Sequence, residues 1–162
     1  MDLPLRYEEE VPAPIWFEAV ILVGVVALIV GVAASAAGGQ AGWPTYALFY
    51  PFMALLGALL LFAFAAFRRL CIVVSDTELR LAFGILRKSV PLTAIQSCEA
   101  KDYRWLTYGG WGIRYALGGR RAWSLPGAPR GVEVTVAEGR RVRRYFVSSR
   151  SPELLAEALR SR

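Results

Sequence analysis

The chain has no histidine, only two cysteines, and no charged residue between Ala19 and Phe67. Each shortage removes a class of chemistry. Without histidine, the commonest general base and the commonest metal ligand are gone, and two well-separated cysteines, Cys71 and Cys98, do not make a zinc site. They fall in segments that read as strands of a domain in a reducing compartment, where they act as small apolar side chains rather than a disulfide. The scattered acids and bases, Asp76, Glu99, Lys101, Asp102 and Glu133, have none of the paired spacing, nucleophile elbow or phosphate loop that a mechanism requires. The sequence therefore predicts a non-enzyme with no cofactor and no metal.

What occupies the charge-free stretch is hydrocarbon. The break at Gly38-Gly39-Gln40-Ala41-Gly42-Trp43-Pro44-Thr45 splits it into two blocks, about 16–37 and about 46–67, of about 22 residues each. At 1.5 Å per residue either block reaches about 33 Å, against a bilayer core of about 30 Å. Two transmembrane helices are predicted, with 1–14 as an irregular lead-in rich in Pro4, Pro12 and Pro14, 15–67 as the helical hairpin and 68–162 as a separate domain. Ala34-Ser35-Ala36 looks like a signal-peptide cleavage site, but Glu8-Glu9-Glu10 stand where such a peptide carries positive charge. Ala27, Gly31 and Ser35, with Ala54 and Ala58, recur every four residues and permit close helix packing, within the hairpin or in a homo-oligomer. Pro51 predicts a kink.

The net charge of +6 is unevenly spread: residues 68–162 hold 18 Lys and Arg against 8 Asp and Glu, a net of +10. Arg68-Arg69 follow the second block directly and the intervening loop is uncharged, which places both termini on the cytoplasmic side of the cell's inner membrane. About 95 residues after the hairpin suffice for one small module.

In that module the apolar period changes to two. Leu70-Cys71-Ile72-Val73-Val74 and Glu78-Leu79-Arg80-Leu81-Ala82-Phe83 read as a hairpin, followed by strands around Arg87-Lys88-Ser89-Val90-Pro91, 96–101, 113–117, 122–125, 131–137 and 141–148. The stretch 102–112 reads as a long aromatic loop. Ser151-Pro152-Glu153 announces a terminal helix with a Ser N-cap, whose stripe of Leu154, Leu155, Ala158 and Leu159 must dock on something apolar. The expected fold is a membrane α-helical hairpin plus a small all-β barrel of about seven strands, capped by a C-terminal α-helix.

The stretch Val74-Ser75-Asp76-Thr77-Glu78-Leu79 through Val90-Pro91-Leu92-Thr93-Ala94-Ile95-Gln96-Ser97, with Gly109-Gly110-Trp111-Gly112 and Ser151-Pro152-Glu153-Leu154-Leu155, resembles the bacterial pleckstrin-homology-like membrane proteins that carry two helices ahead of the domain. The resemblance implies a PH-like fold of seven strands and a helix at one open end. It implies no reaction, because such folds host unrelated binding tasks. The acidic turn Ser75-Asp76-Thr77-Glu78 departs from eukaryotic lipid-binding relatives, which are basic there, so phosphoinositide specificity does not transfer.

Two surfaces stand out as candidates. Arg140, Arg141, Arg143 and Arg144, with Arg120 and Arg121, form a basic set that either docks on anionic lipid, at about 1 kcal/mol per residue near the headgroups, or simply satisfies the positive-inside bias. Tyr103, Trp105, Tyr108 and Trp111, with Arg114, are open to three readings: packing under their own loop, an interfacial membrane contact, or a protein-partner site. No nucleic-acid motif accompanies the charge. The expected role is a membrane-anchored adaptor or scaffold, binding a protein partner or anionic lipid, with a purely structural subunit as the alternative.

Overall fold

A computed structural model of the chain describes residues 5–38, 42, 45–139 and 141–161. The chain divides into two units, Pro14–Ala66 and a second made of Met1–Ala13 with Phe67–Arg162.

The first unit is helical. Helix α1 spans Ile15–Ala37, a π-helical turn covers Thr45–Phe49, and helix α2 spans Tyr50–Phe67. Both helices are long and apolar enough to cross a membrane, and their apolar stretches are not buried in the protein. The wide turn lies just ahead of Pro51, where the missing N–H removes an α-helical donor. The helices approach at glycines other than those the spacing suggests. A Cβ at Gly24 would lie 3.7 Å from Leu60 and one at Gly57 3.7 Å from Leu28, whereas Gly31 faces open space.

Among its described residues the second unit holds nine strands in two sheets and is not a closed barrel of seven. One sheet runs in the order β1-β2-β3-β4: Leu5–Pro12, Arg69–Ser75, Glu78–Phe83 and Leu86–Pro91. The other runs β5-β8-β9-β7-β6, made of Ile95–Asp102, Arg130–Glu138, Arg141–Ser148, Arg120–Ser124 and Gly112–Ala116. All neighbours are antiparallel except β7 and β9, which are parallel. Among the described residues no strand pairing joins the two sheets.

Alternation explains the core between them. Leu70, Ile72 and Val74 of β2, Leu79, Leu81 and Phe83 of β3, and Val132, Val134 and Val136 of β8 are all buried, and the residues alternating with them, among them Arg80, Glu133 and Thr135, are more exposed. Phe83 stacks on Trp123 across the sheets at 5.6 Å, and Phe67 leans on Phe83 at 5.3 Å. Helix α4 (Pro152–Arg160) lies against β5 and β8. It buries Leu155, Ala156 and Leu159 and leaves Leu154 exposed, so the docked stripe is rotated from the one the sequence suggests. Ser151 caps through its backbone alone, its carbonyl accepting from Leu155 N–H at 3.0 Å. Both cysteines are free; Cys98 is buried and Cys71 half-buried.

The lead-in is the largest correction. Far from irregular, Leu5–Pro12 forms β1 and pairs with β2 from Tyr7↔Val74 to Pro12↔Arg69. The acidic run is not a uniform charge block, because Glu8 and Glu10 point outward while Tyr7, Glu9 and Val11 turn in. The Glu9 carboxylate accepts from Tyr7 OH (2.7 Å), Ser149 Oγ (2.5 Å) and the Arg150 N–H (2.6 Å). Pro12 sits at the strand end, where a missing donor costs little. Ala13 N–H donates to the Arg68 carbonyl at 2.7 Å, so the two chain segments that lead into the helices leave the sheet as a cross-strand pair. The helical unit replaces what would otherwise be a β-hairpin loop.

Candidate functional site

Four of the basic residues singled out in the sequence converge. The connection between β6 and β7 is a tight turn at Gly118 and Gly119, both with φ of 75°, a backbone conformation that side chains with a Cβ disfavour. That turn sets Tyr115 opposite Arg121 and Ala116 opposite Arg120. The parallel β7–β9 pairing then brings Arg120 beside Arg144 and Arg121 beside Tyr145. Arg120, Arg121, Arg141 and Arg143 thus line one groove of about 450 Å³, with Tyr115 and Val142 on its rim.

The groove is organised from beneath. Tyr145, 1 % exposed, donates from its OH to Glu138 at 2.5 Å and accepts from Arg121 Nη1 at 2.8 Å. Arg121 also lies over the Tyr115 and Tyr145 rings, 5.0 and 5.4 Å from their centroids, which holds the guanidinium in place. Glu138 meets Arg143 at 2.6 Å and Lys88 at 3.4 Å. The Tyr145 hydroxyl, with the Lys88 and Arg143 charges, holds the Glu138 carboxyl below its usual range, so it is ionised at neutral pH. Arg120, Arg121 and Arg141 make no ion pair among the described residues.

A second groove of about 400 Å³ opens on the other face of the same sheet. Alternation puts Arg120 and Arg144 on that face, together with Ala122 and Phe146. Here Lys101 and the Tyr108 hydroxyl bind Glu133 at 2.8 and 3.1 Å. Burial alone would raise the Glu133 carboxyl, but those two partners outweigh it and the net shift is downward. Asp102 pairs with Arg130 at 3.6 Å. With both acids occupied, Arg104, Arg120 and Arg144 face the groove without an ion pair among the described residues. Arg120 lines both grooves. Arg140 lies outside the described residues.

The aromatic set divides. Tyr103 and Tyr108 stack on each other at 5.4 Å and meet Phe146 in tilted contacts at 4.9 and 5.8 Å, beside the buried Ala122. They pack under their own segment, and Tyr103 OH donates to the Gly110 carbonyl. Part of that segment is a short helix, α3 (Trp105–Tyr108), rather than a continuous loop. Trp105 and Trp111 remain 51 % and 43 % exposed, as does Leu106 at 89 %. Arg114 folds back, donating from Nε to the Trp111 carbonyl at 2.8 Å.

Sequence reasoning missed Tyr115, Glu138, Tyr145 and Val142. The Gly118-Gly119 turn was the available signal for Tyr115, since a tight turn there forces it opposite Arg121. Nothing local announces the parallel β7–β9 pair. Among the described residues, no group of three or more His, Cys, Asp or Glu is placed to hold a metal ion. The arrangement defines an apolar helical hairpin inserted into a two-sheet β unit with a strongly basic end. No protein-family model, curated protein or solved structure matches this chain.

Proposed function

We propose that the protein is a membrane-anchored adaptor of the pleckstrin-homology-like kind, in which the helical hairpin spans the cell membrane and the β unit engages anionic lipid headgroups at its cytoplasmic face. The observation that carries the reading is the gathering of Arg120, Arg121, Arg141 and Arg143 around one groove with exposed Tyr115 and Val142 on its rim. A guanidinium delivers planar, charge-assisted hydrogen bonds to phosphate, and aromatic and aliphatic side chains beside it favour the headgroup zone. The two-sheet core with its terminal helix supports the PH-like assignment. Arg68-Arg69 at the end of α2 support the cytoplasmic side.

The cross-strand pair at Ala13 and Arg68 supports the anchor geometry. Because β1 precedes the hairpin and β2 follows it, the two flanks must share a compartment, which two membrane crossings provide. The full-length protein in lipid nanodiscs tests the headgroup contact by hydrogen exchange. Segments 115–121 and 141–144 gain protection in anionic nanodiscs relative to neutral ones and lose it as salt rises. Equal exchange in both compositions removes lipid binding and leaves a structural subunit.

A further inference from the structure

The two basic grooves are not independent, because Arg120 lines both and stands next to Arg144 in the parallel β7–β9 register. Like charges directly across two strands repel each other, and Glu133, the carboxylate that lines the second groove with them, is already hydrogen-bonded to Lys101 and Tyr108. Among the described residues, five arginines around the grooves, Arg104, Arg120, Arg121, Arg141 and Arg144, have no ion-pair partner. The acids nearby are already taken: Glu138 by Arg143, Lys88 and Tyr145, Glu133 by Lys101 and Tyr108, and Asp102 by Arg130. A single monoanion cannot satisfy such a surface.

We infer that the site takes a lipid whose headgroup carries two phosphates, one in each groove, with Arg120 bridging them. This rests on the headgroup-binding reading above and narrows it to a class of lipid. A lipid is favoured over a soluble bisphosphate because both grooves have large apolar side chains beside them. Tyr115 is 74 % exposed and Val142 57 % at the first groove, and Trp105 and Leu106, 51 % and 89 % exposed, flank Arg104 and Thr107 at the second. A soluble ligand leaves those surfaces in water, while a bilayer covers them. The first phosphate meets Arg121, pre-positioned by Tyr145 and the Tyr115 ring, together with Arg141. The second meets Arg144 and Arg104.

The test is native mass spectrometry of the full-length protein released from detergent, titrated with a glycerol-bridged two-phosphate lipid and with a single-phosphate lipid at equal phosphate concentration. The two-phosphate lipid binds about tenfold more tightly, and Arg120→Gln removes that preference by weakening the two-phosphate lipid more than the single-phosphate one. Arg87→Gln, an exposed residue outside both grooves, changes neither. The melting temperature of the Arg120→Gln protein does not fall, since the substitution relieves repulsion with Arg144. Equal affinity for the two lipids in the unsubstituted protein overturns this inference alone. Absence of binding to either lipid overturns the headgroup reading with it. Equally tight binding of the two-phosphate headgroup stripped of its acyl chains also overturns the inference, because the ligand is then soluble.

Discussion

Joining 5–13 directly to Phe67–Arg162 through a Gly-Asn-Gly linker should yield a water-soluble, folded β unit, whereas Phe67–Arg162 alone should be severely weakened. The reason lies in β1. Val11 is 1 % exposed, and burying a valine contributes about 2 kcal/mol. Glu9 accepts from Ser149 Oγ and the Arg150 N–H, and losing these charge-assisted bonds costs about 2 kcal/mol more once partial solvent access is allowed for. The sum of about 4 kcal/mol is a large part of the 5–15 kcal/mol typical of a domain and corresponds to a melting-point difference of about 20 °C. Truncation also bares the β2 edge, an invitation to aggregate. The linker succeeds because Ala13 and Arg68 are already hydrogen-bonded neighbours at 2.7 Å, so a short turn closes the hairpin. Thermal melts followed by near-ultraviolet circular dichroism decide the matter. Melting temperatures within a few degrees of each other would falsify the claim that β1 is integral to the sheet.

Gly131→Ala should cost about 3 kcal/mol or more, because its Cβ would fall 2.1 Å from the Val147 carbonyl oxygen and 2.8 Å from Phe146; a melt unchanged within a few degrees contradicts the β8–β9 packing. Burial raises the hydroxyls of Tyr7, Tyr103, Tyr108 and Tyr145, that of Tyr7 to about 12. Above the ordinary tyrosine value of about 10 the unfolded chain ionises while the fold keeps its protons, so the stability these tyrosines contribute is constant below that pH and is lost above it. Melts at about pH 9 and about pH 11 should differ, and equal values refute the assignment.

The sequence was most legible where one physical rule acts alone. The charge-free blocks are apolar all round and therefore read directly as long helices, and β3 and β9 run over the residues that alternation assigns them, 78–83 and 141–148. β1 was hidden because its inward positions are Tyr7, Glu9 and Val11, and a buried-side carboxylate satisfied by Ser149 and Arg150 looks like a solvated charge run until those partners are known. The strand count fell short because β1 is contributed from across the hairpin, and the two-sheet arrangement was not foreseen because the β7–β9 parallel pair is a long-range contact with no local signature. The basic set was found by composition, yet its organisation around Tyr145 and Glu138 was not. Those residues became visible as site members only when the strand register set Arg121 beside Tyr145. The aromatic segment mixed two roles, with Tyr103 and Tyr108 inward and Trp105 and Trp111 exposed, which residue type cannot separate.

In the proposed topology the helical hairpin joins two strands of a sheet that lies wholly on one side of a membrane. Single cysteines at Leu5, Gln40 and Ser161, in a protein whose Cys71 and Cys98 are replaced by serine, can be challenged in intact cells with a bilayer-impermeant maleimide. Labelling of the Gln40 position alone, with the other two reacting only after the membrane is opened, is the expected result. Labelling of Leu5 and Ser161 on opposite sides, or of Ser161 from outside, contradicts it.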